Sequence, residues 1–211
     1  MDYKTIAAPV RVEYIEKRSR FIASLAPVGS EADATAFIER LKVEFRDARH
    51  NTFAYIIKDG AERFSDDGEP QGTAGLPELE VMRRRGVVNT VVVVTRYFGG
   101  ILLGAPGLVR AYTHAASDAL DAAELITMRA CDILQLRCGY AFYAQVERLC
   151  RSFGGLIRSR AFEETVTLEL IFFKQKTAAF ADALTQASNG SLAAEVVGEI
   201  YLNDKQIDLN S

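Results

Sequence analysis

The hydrophobic period of this chain switches repeatedly between two residues and 3.6 residues, and the switches divide it into elements. Residues 9–15 and 20–28 read as two strands, and the charged turn Glu16-Lys17-Arg18-Ser19 between them suits a hairpin. Ser30 then starts a helix with Asp33 at the third position, and Ala34, Phe37, Ile38, Leu41 and Phe45 recur as one apolar stripe ending near Arg46. Residues 52–57 make a third strand. The acidic Asp66-Asp67-Gly68-Glu69-Pro70 is a turn or loop, and Ala74 to Arg85 is a short helix that tolerates Pro77 in its first turn. The strand from Val87 to Tyr97 carries Val91-Val92-Val93-Val94 without alternation, which places it centrally, covered on both faces. After a glycine-rich stretch, Leu108, Tyr112, Ala115, Ala116, Ala119, Leu120 and Ala123 mark a long amphipathic helix rich in small residues.

The pattern then restarts. Asp132 to Arg137 is a strand, and Ala141 to Phe153 a helix stopped by Gly154-Gly155. Residues 156–161 and 164–172 form a hairpin, with Val166, Leu168, Leu170 and Phe172 alternating against Thr165, Thr167 and Glu169. A helix around 178–187 and a strand around 194–201 complete the ferredoxin-like order βαββαβ. The class is therefore α+β, with two α/β sandwich domains over residues 1–130 and 131–211. A chain of 211 residues exceeds the usual single-domain size of roughly 100–150 residues, which agrees.

Composition adds limits. Hydrophobic residues at 49% and charged residues at 25% are globular values, and no run approaches the ~20 apolar residues of a membrane span. Cys131, Cys138 and Cys150 are odd in number and poorly spaced for zinc, so they read as reduced buried thiols and the cytoplasm as the expected location. A net charge of −3 means that any nucleic-acid contact needs a local basic patch. Arg83-Arg84-Arg85 is such a run, though the helix dipole explains it and Glu78 and Glu80 offset it.

Common catalytic signatures are absent: no G-x-S-x-G, no P-loop, no H-E-x-x-H, no paired C-x-x-C and no G-x-G-x-x-G. No motif calls for a cofactor. The candidate binding surface is a pair of loops. Asp66, Asp67 and Glu69 could hold a hard cation, with an acidic self-bonded turn as the plain alternative. Gly72, Thr73 and neighbouring glycines precede a helix, where free amides suit an anion. The segment Arg96-Tyr97-Phe98-Gly99-Gly100, followed by Gly104, Gly107 and Arg110, repeats that logic, with Arg96 and Arg110 either on an anion or on the acidic loop itself. His50, just before a strand, could reach the same place, whereas His114 reads as a packing residue.

Several ordered blocks resemble the YigZ/IMPACT family: Ser19-Arg20-Phe21-Ile22-Ala23, His50 and Tyr55, Asp66 to Pro70 with Gly72-Thr73-Ala74-Gly75, Arg96 to Gly100, Leu103-Gly104, and Gly107 to Tyr112. The resemblance spans about residues 17–128. It implies a first domain similar to the second domain of ribosomal protein S-five, and a ferredoxin-like second domain similar to the last domain of elongation factor G. Pro106 stands where a further glycine is more usual, and Leu76 where a small or basic residue is frequent. The eukaryotic namesake of the family restrains translational control, which implies a translation-associated regulatory protein binding RNA, the ribosome or a translation-regulating protein, with no membrane partner. Two alternatives stand beside it: a metal-assisted enzyme acting on a phosphorylated or acidic small molecule, with His50 as acid or base, and a brace in which the two loops lock together.

Overall fold

The computed structural model describes residues 1–203 and Gln206, and the chain divides into two units, Tyr3–Ile126 and Met1–Asp2 with the residues from Thr127 onward. In the first, β1 (Tyr3–Ile6) precedes β2 (Val10–Glu16), β3 (Ser19–Pro27), α1 (Glu31–Glu44), β4 (His50–Ile56), β5 (Glu62–Ser65), α2 (Gly75–Arg85), β6 (Thr90–Tyr97) and α3 (Gly104–Ala122). Its antiparallel sheet runs β2-β3-β6-β4-β5.

The four valines lie in β6 at the middle of that sheet, and their two faces explain its three layers. Val92 and Val94 join Phe21, Leu25 and Ala54 beneath α2 and α3. Val91 and Val93 face the other way, onto Ala34, Phe37, Ile38 and Leu41 of α1. All four valines are fully buried, as a run without alternation requires, and each such burial contributes roughly 1.5–3 kcal/mol. The Ser30 cap forms as expected: its Oγ accepts from the Asp33 N–H at 3.1 Å and donates to the Asp33 carboxylate at 2.8 Å. The β2–β3 hairpin turns on Lys17 and Arg18, both at positive φ (45° and 67°), so two residues without glycine's freedom make a tight turn of the mirror-image type.

Some boundaries differ from the sequence expectation. β6 starts at Thr90 rather than Val87, because Gly86 at φ 64° closes α2 and the Val87 N–H turns back to the Met82 carbonyl. α3 starts at Gly104 rather than near Leu108, so Gly104, Pro106 and Gly107 belong to the helix, with the prolyl ring where no amide donor is needed. The short β1 and β5 carried no periodic signal.

The second unit contains β7 (Leu125–Cys138) from Thr127 on, α4 (Tyr140–Ser152), β8 (Leu156–Phe162), β9 (Val166–Phe173), α5 (Lys174–Ala187) and β10 (Ala194–Leu202). Its antiparallel strand order β10-β7-β9-β8 is ferredoxin-like. Leu134, Leu136, Leu168 and Phe172 meet α4 and α5, with the Phe172 ring stacked on Phe180 at 4.3 Å. β7 begins seven residues before the expected Asp132, where Ile126 and Met128 alternate with exposed neighbours but are only partly buried, and α5 begins at Lys174 rather than near Ala178, since Lys174-Gln175-Lys176-Thr177 carries no apolar stripe. The three cysteines are free and buried; burial pushes the Cys131 thiol up to about 11 and Cys150 to about 12.

Candidate functional site

The acidic loop between β5 and α2 is occupied by its own chain. Asp66 Oδ1 accepts from the Ala74 and Gly75 N–H groups at 3.0 and 2.9 Å, and Oδ2 from Gly72 at 2.8 Å, so this carboxylate caps α2. Gly72 supplies a positive φ of 76°. Gly75 packs so closely that a Cβ there would meet the Ser65 backbone at 2.6 Å. Asp67 Oδ2 accepts from the Asn51 N–H at 2.6 Å, and its carbonyl oxygen lies 2.8 Å from His50 Nδ1. A carbonyl only accepts, so Nδ1 carries the proton and Nε2 is left toward Glu69. Thr73 donates back to the Pro70 carbonyl and holds the turn.

Glu69 and Arg96 join the two loops. Arg96 Nη1 donates to Glu69 Oε1 at 2.5 Å, Tyr112 OH donates to the same oxygen at 2.8 Å, and His50 Nε2 lies 4.0 Å from it. Both members of the ion pair are nearly inaccessible, with side-chain exposures of 8% and 3%. The guanidinium also lies over the Phe21 and Phe98 rings, 5.4 and 5.8 Å from their centroids. Burial first, and the Glu69 carboxylate second, push the Tyr112 phenol far above its ordinary range. Close by, fully buried Glu78 accepts from Thr52 Oγ1 at 2.5 Å, while its Oε2 has no partner. Desolvation raises its carboxyl well above the usual range.

Beside this cluster lies an open cavity of about 320 Å³. His50, Glu69 and Arg96 reach it together with Arg49, and Pro70, Phe98, Leu102, Leu103, Ala105 and Leu108 supply apolar walls, with Gly104 at the α3 start. Leu102 is 83% exposed at the rim, alongside the half-exposed Phe98.

Other sequence-picked residues serve elsewhere. Tyr97 OH donates to Asp47. The Gly99 N–H donates to Ser19 Oγ, and a Cβ on Gly99 would lie 2.0 Å from the Arg18 carbonyl carbon, so the β2–β3 turn and this loop fit only with glycine there. Gly100 takes a positive φ of 84°, and Gly104, which remains at the cavity, one of 70°. Gly107 is buried, with space for a Cβ only 3.0 Å from Leu103. Arg110 is exposed and does not reach the cavity. Asp66, Asp67 and Glu69, which the sequence offers either as cation ligands or as a self-bonded turn, each present a carboxylate to a different N–H, O–H or guanidinium donor. Among the described residues no group of three or more His, Cys, Asp or Glu could hold a metal ion. The Arg83 and Arg85 side chains pair with Glu62, Glu80 and Asp121, which leaves little of the basic run for phosphates.

Fold and cavity together define a two-domain α+β chain whose distinctive feature is a part-apolar pocket floored by a buried ion pair. Residues 17–120 match the Impact N-terminal domain and residues 136–191 match the Domain of unknown function (DUF1949). Among relatives, the IMPACT family member YvyE of Bacillus subtilis is 36% identical over 190 residues, covering 89% of this chain and 88% of that protein. The IMPACT family member YigZ of Escherichia coli is 38% identical over 199 residues, 92% and 97% of the two chains. Protein IMPACT of Homo sapiens is 37% identical over 94 residues, 42% of this chain and 29% of that one. A solved structure described as a hypothetical protein superposes with a TM-score of 0.65 at 36% identity, over 93% of this chain and 98% of that one. The chain belongs to the IMPACT family.

Proposed function

We propose that this chain is a translation-associated regulatory protein that acts by binding a protein partner of the ribosome or its factors through the first-unit pocket. Membership of the IMPACT family supports the translational setting. The single observation that carries the mode of action is the pocket itself, where an apolar wall and the exposed rim of Phe98 and Leu102 stand beside a buried Arg96–Glu69 floor. Apolar side chains held at a concave surface suit a protein contact. A protein partner is favoured over RNA because the net charge is −3 and Arg83 and Arg85 are neutralised by acidic neighbours. A metal-assisted reaction finds no support in the donor set, since Asp66, Asp67 and Glu69 are each spent on fixing the loops.

The reading is tested by co-sedimentation of the purified full chain with ribosomes at low and moderate salt, alongside a Leu102→Asp variant. Association that survives moderate salt and is lost in the variant is expected. Absence of association at low salt would remove the reading, and association that falls steeply with salt but ignores Leu102→Asp would replace it with RNA-backbone binding.

A further inference from the structure

Three observations in the pocket point to one ligand chemistry. Among the described residues no side chain accepts from the Gly104 and Ala105 N–H groups that open α3 at the cavity, whereas Asp66 accepts from the first amides of α2. Arg96 lines the cavity with a side chain only 8% exposed; its Nη1 is held by Glu69, and its Nε, itself inaccessible, has no hydrogen-bond partner. Arg49 lines the same cavity, exposed, with no ion pair to another described residue.

Charge and shape narrow the class. Two guanidinium groups against the one Glu69 carboxylate leave the pocket a single formal positive charge, which matches a monoanion better than a phosphate dianion. The remaining wall is aliphatic and aromatic, and about 320 Å³ lies at the small end of the ~300–1,000 Å³ range of ligand pockets. We propose that the pocket binds an apolar monocarboxylate, its carboxylate held by Arg49, Arg96 and the first turn of α3, and its apolar body set against Phe98, Leu102 and Leu103. The same chemistry is offered by a free arylalkanoic acid and by the C-terminus of a protein chain ending in an apolar residue. This inference rests on the reading of the pocket as the binding site and names what it binds.

Calorimetric titration of the full chain with 3-phenylpropanoate, its neutral amide, and the peptide acetyl-Ala-Ala-Phe as free acid and as C-terminal amide tests it. At least one acid is expected to bind, about 10-fold or more tighter than its amide, and Arg49→Ala should remove most of that preference while leaving the circular dichroism unchanged. Binding of phenylpropanoate alone assigns a small-molecule source; binding of the peptide acid assigns a chain terminus. No binding of either acid at millimolar concentration, equal binding of acid and amide, or an acid preference untouched by Arg49→Ala would overturn the proposal. A chain that sediments with ribosomes yet ignores every carboxylate would refute this inference and spare the proposed function, and the reverse pattern would do the opposite.

Discussion

Replacing Glu69 with alanine should be among the most damaging single changes available in the first unit. The substitution removes the oxygen that accepts from both Arg96 Nη1 and Tyr112 OH, and it strands a guanidinium that is 8% exposed and already has one unpartnered nitrogen. Breaking a buried pair by deleting one partner costs about 3–5 kcal/mol. The orphaned phenol accounts for ~1–3 kcal/mol of that sum. Glu69→Gln keeps an acceptor in place and should cost about half as much. Arg96→Met in the Glu69→Gln background should recover stability, because the stranded charge goes with it. Urea unfolding followed by circular dichroism, at the transition of the first unit, reads all four members of this double-mutant cycle. A Glu69→Ala loss below about 1 kcal/mol, or strictly additive effects of Glu69→Gln and Arg96→Met, would refute the view of this pair as a desolvated clasp between the two loops.

Further predictions rest on other contacts. Glu78 holds its proton more tightly folded than unfolded, so the folded state gives up stability as pH rises from about 4.5, the ordinary value, through the raised folded value. Glu78→Gln should therefore gain on the parent between pH 4.5 and neutrality, seen as a melting-temperature difference that widens with pH; a constant difference would contradict the assignment. Gly99→Ala should destabilise by about 1–3 kcal/mol by forcing a methyl into the Arg18 backbone, and a neutral result in urea unfolding would mean that the turn can move aside. Arg18→Gly should stabilise slightly, by up to ~1 kcal/mol, since it relieves a side chain at φ 67°; lower stability would show that the turn carries no strain.

Much of the fold was legible because its strongest signals were periodic. The valine run, the Ser30 cap and the alternation in β9 each reflect burial geometry, and each lies where the pattern put it. The pieces that were missed lack such a signal. β5 is a four-residue strand with mostly exposed side chains, and the first residues of β7 alternate without joining a large core. The sequence pattern starts α3 late because Gly104, Pro106 and Gly107 are loop residues by composition, whereas the first helical turn needs no amide donor from proline.

The site was legible in outline only. Arg96 and Glu69 could be paired from the two loops as one option, and His50 does stand beside them. Arg110 could not be separated from Arg96 by residue type; the periodicity of α3 decides it, since Leu108, Ala111, Tyr112 and Ala115 turn inward and leave Val109 and Arg110 outside. Asp66 and Asp67 resembled cation ligands because an amino-acid string does not say which backbone N–H groups a carboxylate will meet. Arg49 stood in no motif, and only the cavity singles it out.

The pocket face is proposed to meet a protein of the translation apparatus. The most direct measurement of that contact places a photocrosslinking phenylalanine analogue at Leu102, on the pocket rim, and at Val43, which is 73% exposed on α1 across the sheet, and irradiates each chain with a purified ribosome and translation-factor fraction. A discrete protein adduct is expected from position 102 and none from position 43. Adducts of equal yield from both positions, or adducts to RNA alone, would contradict it.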